Sequence, residues 1–215
     1  MSLPPHALLL NGFPGVGKLT VAKAFEDRLK KDNRIPCCRL DNHLLIDPVM
    51  AIHPIRNEAH YKLRKDMRRT ICRGLKSIED DKTIIILTSA LSTSNKVTLY
   101  DDIEQFSDYV EVAEARHIPL VMVNVLCDEA TNLSRLTSDE RRHGSKTKLT
   151  DAIVAQTIRR ETRLLTREQA SKVGRRGQVI YREIDTTTST GVKEIVSELI
   201  EFLLVEVSAW EQPRT

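Results

Sequence analysis

The sequence of 215 residues is poor in aromatic side chains, which make up only 4% of it. Proteins that bind single-stranded nucleic acids stack the bases on several such side chains, so this composition disfavours a nucleic-acid-binding module. The chain also lacks an excess of one charge, because 33 lysines and arginines stand against 30 aspartates and glutamates, a net charge of +3. So small an excess does not indicate binding to DNA or to a membrane, and it suits an enzyme that gathers anionic ligands at one place.

Long hydrophobic runs are absent as well. No stretch approaches the roughly 20 apolar residues that a membrane span requires, and the short apolar run near the N-terminus has no basic leader before it. The four cysteines have no metal-ligand spacing; they are Cys37, Cys38, Cys72 and Cys127. We therefore expect reduced thiols in a cytoplasmic protein with no membrane partner. The length predicts a single domain over residues 1–215.

Short apolar runs alternate with helical patterns along the whole chain. The runs in the middle of the chain are continuous, which is typical of parallel strands buried on both faces. The predicted strands span residues 7–11, 36–40, 83–87, 120–126 and 179–185. The predicted helices span residues 18–31, 57–79, 97–116, 150–172 and 191–207. This order predicts an α/β fold with a doubly wound, five-stranded parallel sheet, helices on both faces, and ligands beyond the carboxyl ends of the strands.

The first predicted strand leads into a glycine-rich stretch, GFPGVGKLT, at residues 12–20. Its glycines and Lys18 have the GxxxxGK spacing, in which successive backbone N–H groups and a helix N-terminus bind a phosphate chain. Lys18 adds a mobile positive charge near the phosphoryl group that is transferred, so we expect nucleotide binding with Lys18 as a catalytic residue. The predicted contacts are Gly12, Pro14, Gly15, Val16, Gly17, Lys18, Leu19 and Thr20.

One position in this loop departs from the common pattern. Leu19 stands where a hydroxyl group usually holds Mg²⁺, and the hydroxyl comes one residue later, at Thr20. With the element order and a charged segment before the last helices, this loop resembles the P-loop kinase group that includes adenylate, gluconate and shikimate kinases and chloramphenicol phosphotransferase. Adenylate kinases also carry the threonine one place later and hold Mg²⁺ largely through water. The resemblance implies ATP and Mg²⁺ as cofactors, Thr20 near the metal, and the strand order 2-3-1-4-5.

The charged stretch NLSRLTSDERRHGSKTKLTD, residues 132–151, resembles the basic lid of this kinase group. The resemblance implies that Arg135 lies against the adenine and that Arg141 or Arg142 reaches the phosphates. An arginine there stabilises the transferring phosphoryl group, so Arg141 is a predicted catalytic residue and Arg142 a predicted substrate contact. The alternative is a solvated basic loop, because runs of charge usually face water.

The loop after the fifth predicted strand wraps the adenine in this kinase group. By position, Asp185 and Thr186, and with them Thr187, are the predicted base contacts, and a plain turn and helix cap is the alternative. The third predicted strand is followed by Thr88 and Ser89. It has no aspartate at its end, where many P-loop ATPases carry an acidic metal residue. Thr88 or Ser89 could bind a metal-bound water instead.

Asp41 follows the second predicted strand, within the stretch RLDNHLLIDP. Shikimate kinase and chloramphenicol phosphotransferase place an aspartate there against the acceptor hydroxyl, and Asp41 matches it by position. Asp41 is therefore a predicted catalytic and substrate residue that takes the hydroxyl proton or holds Mg²⁺ through water, and the sequence leaves both roles open. His43 could assist at the substrate, although a lone loop histidine is more often structural.

The cationic helix predicted at residues 57–79 could present an arginine to an acidic substrate. Most of its cations are expected to lie on its solvated face; they include Arg64, Lys65, Arg68 and Arg69, with Arg56 just before the helix. Taken together, the sequence predicts an ATP-dependent kinase that phosphorylates a hydroxyl group of a small molecule, as a monomer or homodimer. A nucleoside monophosphate kinase and a non-catalytic ATP-binding protein are the alternatives.

Overall fold

The computed structural model describes residues 3–32, 34–94, 102–142, 148–174, 177–187 and 191–211. Its strands and helices alternate along most of the chain. In chain order they are β1 (Ala7–Asn11), α1 (Lys18–Asp32), β2 (Cys37–Leu40), α2 (His43–Ile52), α3 (Glu58–Lys76), β3 (Ile84–Ser89), β4 (Ser92–Ser94), α4 (Asp102–Ala115), β5 (Leu120–Leu126), α5 (Glu129–Leu136), α6 (Asp139–Arg142), α7 (Ala152–Glu161), β6 (Thr162–Leu164), α8 (Arg167–Val173), β7 (Val179–Asp185) and α9 (Val192–Glu206).

Five parallel strands form the main sheet, in the order β2-β3-β1-β5-β7. Counted among these five strands alone, this is the predicted order 2-3-1-4-5, and the doubly wound α/β fold is confirmed. The central strand β1 pairs with β3 and β5, so that Leu9 lies opposite Leu87 and Met122. The carboxyl ends of all five strands therefore meet at one edge, where the glycine-rich loop follows β1.

Helices cover both faces of the sheet because alternate residues of each strand point to opposite sides. Leu8 belongs to one core cluster with Phe25 of α1 and Leu203 of α9. Its neighbour Leu9 belongs to a second cluster with Phe106 of α4. All five side chains are fully buried. Each burial of this kind contributes about 1.5–3 kcal/mol, so the two layers fix the sheet edge on which the site is built.

The single helix predicted at residues 150–172 is wrong. The structure has two helices there, α7 and α8, and between them β6 pairs antiparallel with β4. Between the two helices, Leu165 is fully buried in the second core cluster. Thr166 then starts α8 with a capping box, in which its hydroxyl accepts from the Gln169 backbone and the Gln169 side chain accepts from the Thr166 backbone.

Three further helices, α2, α5 and α6, lie in stretches for which no helix was predicted. In the helix predicted at residues 97–116, residues 97–101 fall outside the part of the chain that the structure describes, and the described helix α4 begins at Asp102. None of the described helices is both long and apolar enough to cross a membrane.

Candidate functional site

The glycine-rich loop joins β1 to α1 and has a backbone that only glycine adopts readily. Gly15 and Gly17 have φ angles of +91° and +93°. A Cβ atom at Gly15 would lie 2.6 Å from Nδ2 of Asn132, and one at Gly12 would lie 2.5 Å from the backbone oxygen of Val125. The glycines thus allow both the turn and its close packing on the neighbouring strand and helix.

Lys18, the first residue of α1, folds back onto this loop. Its Nζ donates to the backbone oxygens of Gly12, at 2.6 Å, and Phe13, at 2.8 Å. The pKa of Lys18 is lowered to about 7, mainly by burial and then by the positive charge of Arg141, whereas the carboxylate of Asp41 opposes the shift. A partly buried cation with a lowered pKa gains much from an anion, so this position suits a phosphate.

The other predicted loop residues differ in where their side chains lie. Leu19 and Thr20 both line the cleft beside the loop, and the Thr20 side chain is exposed there. Val16, in contrast, is 1% exposed and belongs to the first core cluster. Its side chain therefore anchors the loop, and only its backbone could face a phosphate.

Two residues that the sequence analysis missed hold the loop from outside. Asn132 of α5 donates from Nδ2 to the backbone oxygen of Pro14 at 2.8 Å. Arg159 of α7 donates to Oδ1 of Asn132 at 3.3 Å and to the backbone oxygen of Cys127 at 3.1 Å, and its guanidinium lies 5.4 Å from the centre of the Phe13 ring. No local pattern marks these residues, because their partners come from distant parts of the chain.

Asp41 follows β2 at the same edge and is held by its neighbours. It is 2% exposed, and its Oδ1 accepts from the hydroxyl of Thr88, at 3.0 Å, and from the backbone N–H of His43, at 3.4 Å. The backbone N–H of Asn42 donates to the same Thr88 hydroxyl at 3.1 Å, and Nη2 of Arg64 donates to Oδ1 of Asn42 at 3.1 Å. One hydrogen-bonded chain thus joins β2, β3 and α3 beside the cleft.

Thr88 and Ser89, either of which was predicted to bind a metal-bound water, have different surroundings. Thr88 lines the cleft and contacts Asp41, as described above. Ser89 is 1% exposed and accepts from the side chain of Gln105 at 2.9 Å. Ser89 therefore belongs to the packing of α4 on the sheet rather than to the cleft.

His43 begins α2 and lines the cleft near Asp41. Its Nδ1 lies 3.2 Å from Oδ1 of Asp47, one helical turn further on. That contact orients the imidazole ring. Because His43 lines the cleft, its position is compatible with the predicted substrate contact. Asp47 was not singled out from the sequence, although an i, i+4 spacing on a helix is a local signal.

Two of the predicted adenine contacts, Arg135 and Thr186, are brought together at the other end of the cleft. Arg135 of α5 donates from Nη1 to the Thr186 hydroxyl, at 3.0 Å, and from Nη2 to the Thr186 backbone oxygen, at 2.7 Å. The same hydroxyl contacts the backbone oxygen of Val16 at 3.0 Å, which links this end to the glycine loop. Asp185 is exposed and outside the cleft lining. Hydrogen bonds from the side chain and then the backbone of Thr187 lower the pKa of its carboxyl group.

The predicted lid at residues 132–151 lies partly within the described chain. Its first residues end α5, where Leu136 is fully buried. Arg141 lines the cleft, and its Nε donates to the backbone oxygen of Leu149 at 2.9 Å, while desolvation lowers its pKa. The side chain of Arg142 and residues 143–147, including Lys146, lie outside the part of the chain that the structure describes.

The cations of α3 do not share one solvated face. Arg64 and the preceding Arg56 line the cleft. Arg68 is 1% exposed and its Nε donates to a carboxylate oxygen of Asp108 in α4 at 2.6 Å. The expectation of a solvated position is therefore wrong for Arg68, because the interface between α3 and α4 provides it with a buried carboxylate. Lys65 and Arg69 both pair with Glu104 near the surface.

One cleft of about 1480 Å³ brings together the glycine loop, Lys18, Asp41, His43, Thr88, Arg135, Arg141 and Thr186. A site for one drug-sized ligand usually measures about 300–1,000 Å³, so the cleft has room for a nucleotide and a second small molecule. One part of its lining is the glycine loop, with Arg135 and Thr186. The other part carries the side chains of Asp41, Asn42, His43, Arg56, Tyr61, Arg64, Thr88, Ser92, Thr93, Asp102 and Thr162.

No protein-family model matches the chain, and no curated protein matches its sequence. Solved structures do share its fold. A candidate kinase from Chloroflexus aurantiacus matches with a TM-score of 0.56 at 13% identity, over 92% of this chain and 97% of that chain. The APS kinase of Mycobacterium tuberculosis, solved in complex with AMPPNP and APS, matches with a TM-score of 0.54 at 14% identity, over 93% of this chain and 98% of that chain.

The shikimate kinase of Acinetobacter baumannii, solved with shikimate, has a TM-score of 0.49 at 15% identity, over 93% of both chains. At identities this low, the first two matches show the fold alone. The chain has the P-loop kinase fold, as its loop and its order of elements indicate.

Proposed function

We propose that this chain is an ATP-dependent phosphotransferase that moves the γ-phosphoryl group of ATP to a hydroxyl group of a small molecule. The observation that carries the proposal is that one cleft is lined by both Lys18, at the end of the glycine loop, and Asp41, just after β2. The two groups are close enough for the carboxylate to raise the pKa of the amine. Phosphoryl transfer requires mainly positioning and neutralisation of charge. A cation at the donor phosphates and a carboxylate at the acceptor supply both.

The nucleotide half of the cleft fits ATP. The glycine loop turns its backbone toward the start of α1, where an anion is stabilised by N–H groups and by the helix dipole. Arg135 and Thr186 would contact the base, since their bonded pair lies next to the loop through Val16. The APS kinase that shares this fold was solved with AMPPNP, which supports ATP as the nucleotide.

Mg²⁺ would be held with the nucleotide, by Thr20 and Asp41 together with water. The described residues contain no cluster of three or more His, Cys, Asp or Glu side chains that could hold a metal ion. Magnesium bound to nucleotides usually keeps several waters and takes only one or two protein ligands, so an exposed Thr20 hydroxyl beside the loop fits this chemistry. When bound, the ion neutralises charge on the phosphates.

Asp41 would orient the acceptor hydroxyl and accept its proton, or hold the metal through water. Arg141 would neutralise charge that develops on the phosphoryl group, since it lines the cleft near enough to lower the pKa of Lys18. Within a single domain of residues 1–215, the segment 132–151 would act as a lid that excludes water during transfer.

The acceptor half of the cleft favours a small polar molecule. Arg56, Tyr61 and Arg64 line it, and the short strands β4 and β6 contribute the hydroxyl groups of Thr93 and Thr162. Donors and acceptors of this kind bind hydroxylated compounds. The two arginines also favour a second candidate, a nucleoside monophosphate kinase, because an acceptor phosphate needs such cations.

One experiment tests the proposal and separates the two candidates. Thermal shift with Mg·AMPPNP should show binding, and ³¹P NMR should then detect a new phosphorylated product when ATP is incubated with mixtures of hydroxylated acids, sugars, nucleosides or nucleoside monophosphates. Conversion of a monophosphate to a diphosphate would favour the second candidate. A protein that binds Mg·AMPPNP but forms no product across the panel would favour a non-catalytic ATP-binding protein, and one that does not bind it would refute the proposal.

A further inference from the structure

The end of β3 carries a hydrogen-bonded threonine where many P-loop ATPases carry an acidic residue. Thr88 is 3% exposed, and its hydroxyl contacts the backbone N–H of Asn42 at 3.1 Å and Oδ1 of Asp41 at 3.0 Å. A backbone N–H can only donate, so the threonine oxygen accepts from Asn42. Its own proton is then directed to the carboxylate of Asp41.

The register of the sheet explains why these groups meet. Leu40, the last residue of β2, lies opposite Leu87 of β3, so Asp41 just after β2 lies beside Thr88 within β3. The carboxylate therefore reaches the cleft from β2, and the hydroxyl from β3 fixes it. A hydrogen bond to an ionised group is worth more than one between neutral groups, and a buried carboxylate gains most from it.

We propose that Thr88 is the positioning residue of the site and that it acts on phosphoryl transfer through Asp41. Its hydroxyl fixes the plane of the Asp41 carboxylate. The hydroxyl also accepts from the backbone N–H of Asn42, whose side chain accepts from Arg64. Thr88 therefore also helps to position Arg64 in the acceptor half of the cleft. The inference rests on the proposed kinase function, and it gives Thr88 a role distinct from binding a metal-bound water.

The same strand offers a matched control. Thr83, just before β3, is 7% exposed, and its hydroxyl lies 3.0 Å from Oδ2 of Asp80. This pair has the chemistry of Thr88 and Asp41 but lies at the other end of the strand and outside the cleft lining. Thr83→Val should therefore report the structural cost of losing such a bond, without an effect on the site.

The test is a double-mutant cycle with two readouts that need no acceptor. The variants are Thr88→Val, Thr88→Ser, Thr83→Val, Asp41→Asn and the double variant of Asp41→Asn with Thr88→Val. The first readout is hydrolysis of ATP with water as the acceptor. The second is the Mn²⁺ concentration that half-saturates the protein with AMPPNP, followed by electron paramagnetic resonance. Thr88→Ala replaces Thr88→Val if the valine variant does not fold, as judged by circular dichroism.

We expect Thr88→Val to change whichever readout Asp41→Asn changes, by roughly ten-fold, because a hydrogen bond to a charged group is lost. Thr88→Ser should stay near the parent, as should Thr83→Val. In the Asp41→Asn background, Thr88→Val should have little further effect, because residues that act through one another are non-additive.

Three results would overturn the inference: a Thr88→Val variant that matches Thr83→Val, a full ten-fold effect of Thr88→Val in the Asp41→Asn background, or an Asp41→Asn variant that matches the parent in both readouts. Failure of the kinase proposal has a different signature. In that case the parent protein itself would form no phosphorylated product with the acceptor panel, whether or not it binds AMPPNP.

Discussion

The Nζ atom of Lys18 lies 2.6 Å from the backbone oxygen of Gly12. Gly12 is the first residue of the glycine loop, and Lys18 follows its last glycine. This contact gives the buried ammonium group a partner in the absence of an anion. The backbone oxygen carries only a partial charge, however, and burial still holds the pKa of Lys18 at about 7. A phosphate in the loop would replace a weak partner by a strong one, so the protonation of Lys18 should report nucleotide binding.

We therefore predict that binding of Mg·AMPPNP takes up a proton. At pH 8 a lysine with a pKa of about 7 is mostly neutral, and bound phosphates raise the pKa of Lys18, so uptake should approach about 0.9 proton per site. Calorimetry in buffers of different ionisation enthalpy measures this number. Uptake should fall to about 0.1 proton per site at pH 6 and disappear in Lys18→Met. Uptake that is the same in Lys18→Met would assign the proton to another group.

Arg135 and Thr186 should serve the base rather than the phosphates. Arg135→Ala removes both donors to Thr186 and opens the far end of the cleft. We expect this variant to bind ATP roughly ten-fold more weakly, since a guanidinium at an aromatic base contributes about 1–2 kcal/mol, and to bind inorganic tripolyphosphate like the parent. Isothermal titration with both ligands checks it. Equal weakening for the two ligands would show that Arg135 contacts the phosphates instead.

The buried pair of Arg68 and Asp108 should matter to stability far more than its exposed neighbour. Arg68→Ala removes the buried cation that lies 2.6 Å from the Asp108 carboxylate, and Arg69, half-exposed and 3.7 Å from the same carboxylate, replaces it only in part. We expect a loss of about 3–5 kcal/mol in the free energy of unfolding, measured with urea. Lys76→Ala is the matched control, because Lys76 of the same helix pairs with Glu111 of α4 at the surface and should cost less than about 1 kcal/mol. Similar losses for both variants would contradict the assignment.

The centre of the sheet could be predicted because β1, β3 and β5 are buried on both faces. The run TIIIL reads as a parallel strand without knowledge of any neighbour, and so does the run ALLLN of β1 beside it. The break between α7 and α8 was missed because β6 spans only three residues and pairs with β4, which is distant in sequence. Its local signal was the capping box of Thr166 and Gln169, which periodicity alone does not reveal.

The candidate site divides in a similar way. Residues within the loop motif, and Asp41 after a strand, could be placed from sequence because the edge of a parallel sheet brings strand ends together. Arg159 and Asn132 could not, since they act on the loop from helices that fold onto it much later in the chain. The burial of Arg68 was missed because helical spacing shows which residues share a face but not which face meets an acidic neighbour.

His6 gives the last prediction, a loss of stability in mild acid. It is fully buried before β1, near the ring of Phe25, and its Nδ1 contacts the backbone oxygen of Pro4 at 2.7 Å. Burial lowers the pKa of His6 from 6.5 to about 4. Between these values the unfolded chain binds a proton that the folded chain does not, so the free energy of unfolding falls as the pH falls through this window.

The expected loss from His6 is roughly 2 kcal/mol between pH 7 and pH 5, from urea unfolding at each pH. His6→Leu replaces the imidazole by an apolar side chain of similar length. It should reduce the pH dependence of the free energy of unfolding by that amount. His117→Asn, which removes an exposed histidine at a left-handed position that asparagine tolerates, should leave the pH dependence unchanged. A His6→Leu variant as sensitive to acid as the parent would mean that the proton is bound elsewhere, because no other change separates the two proteins.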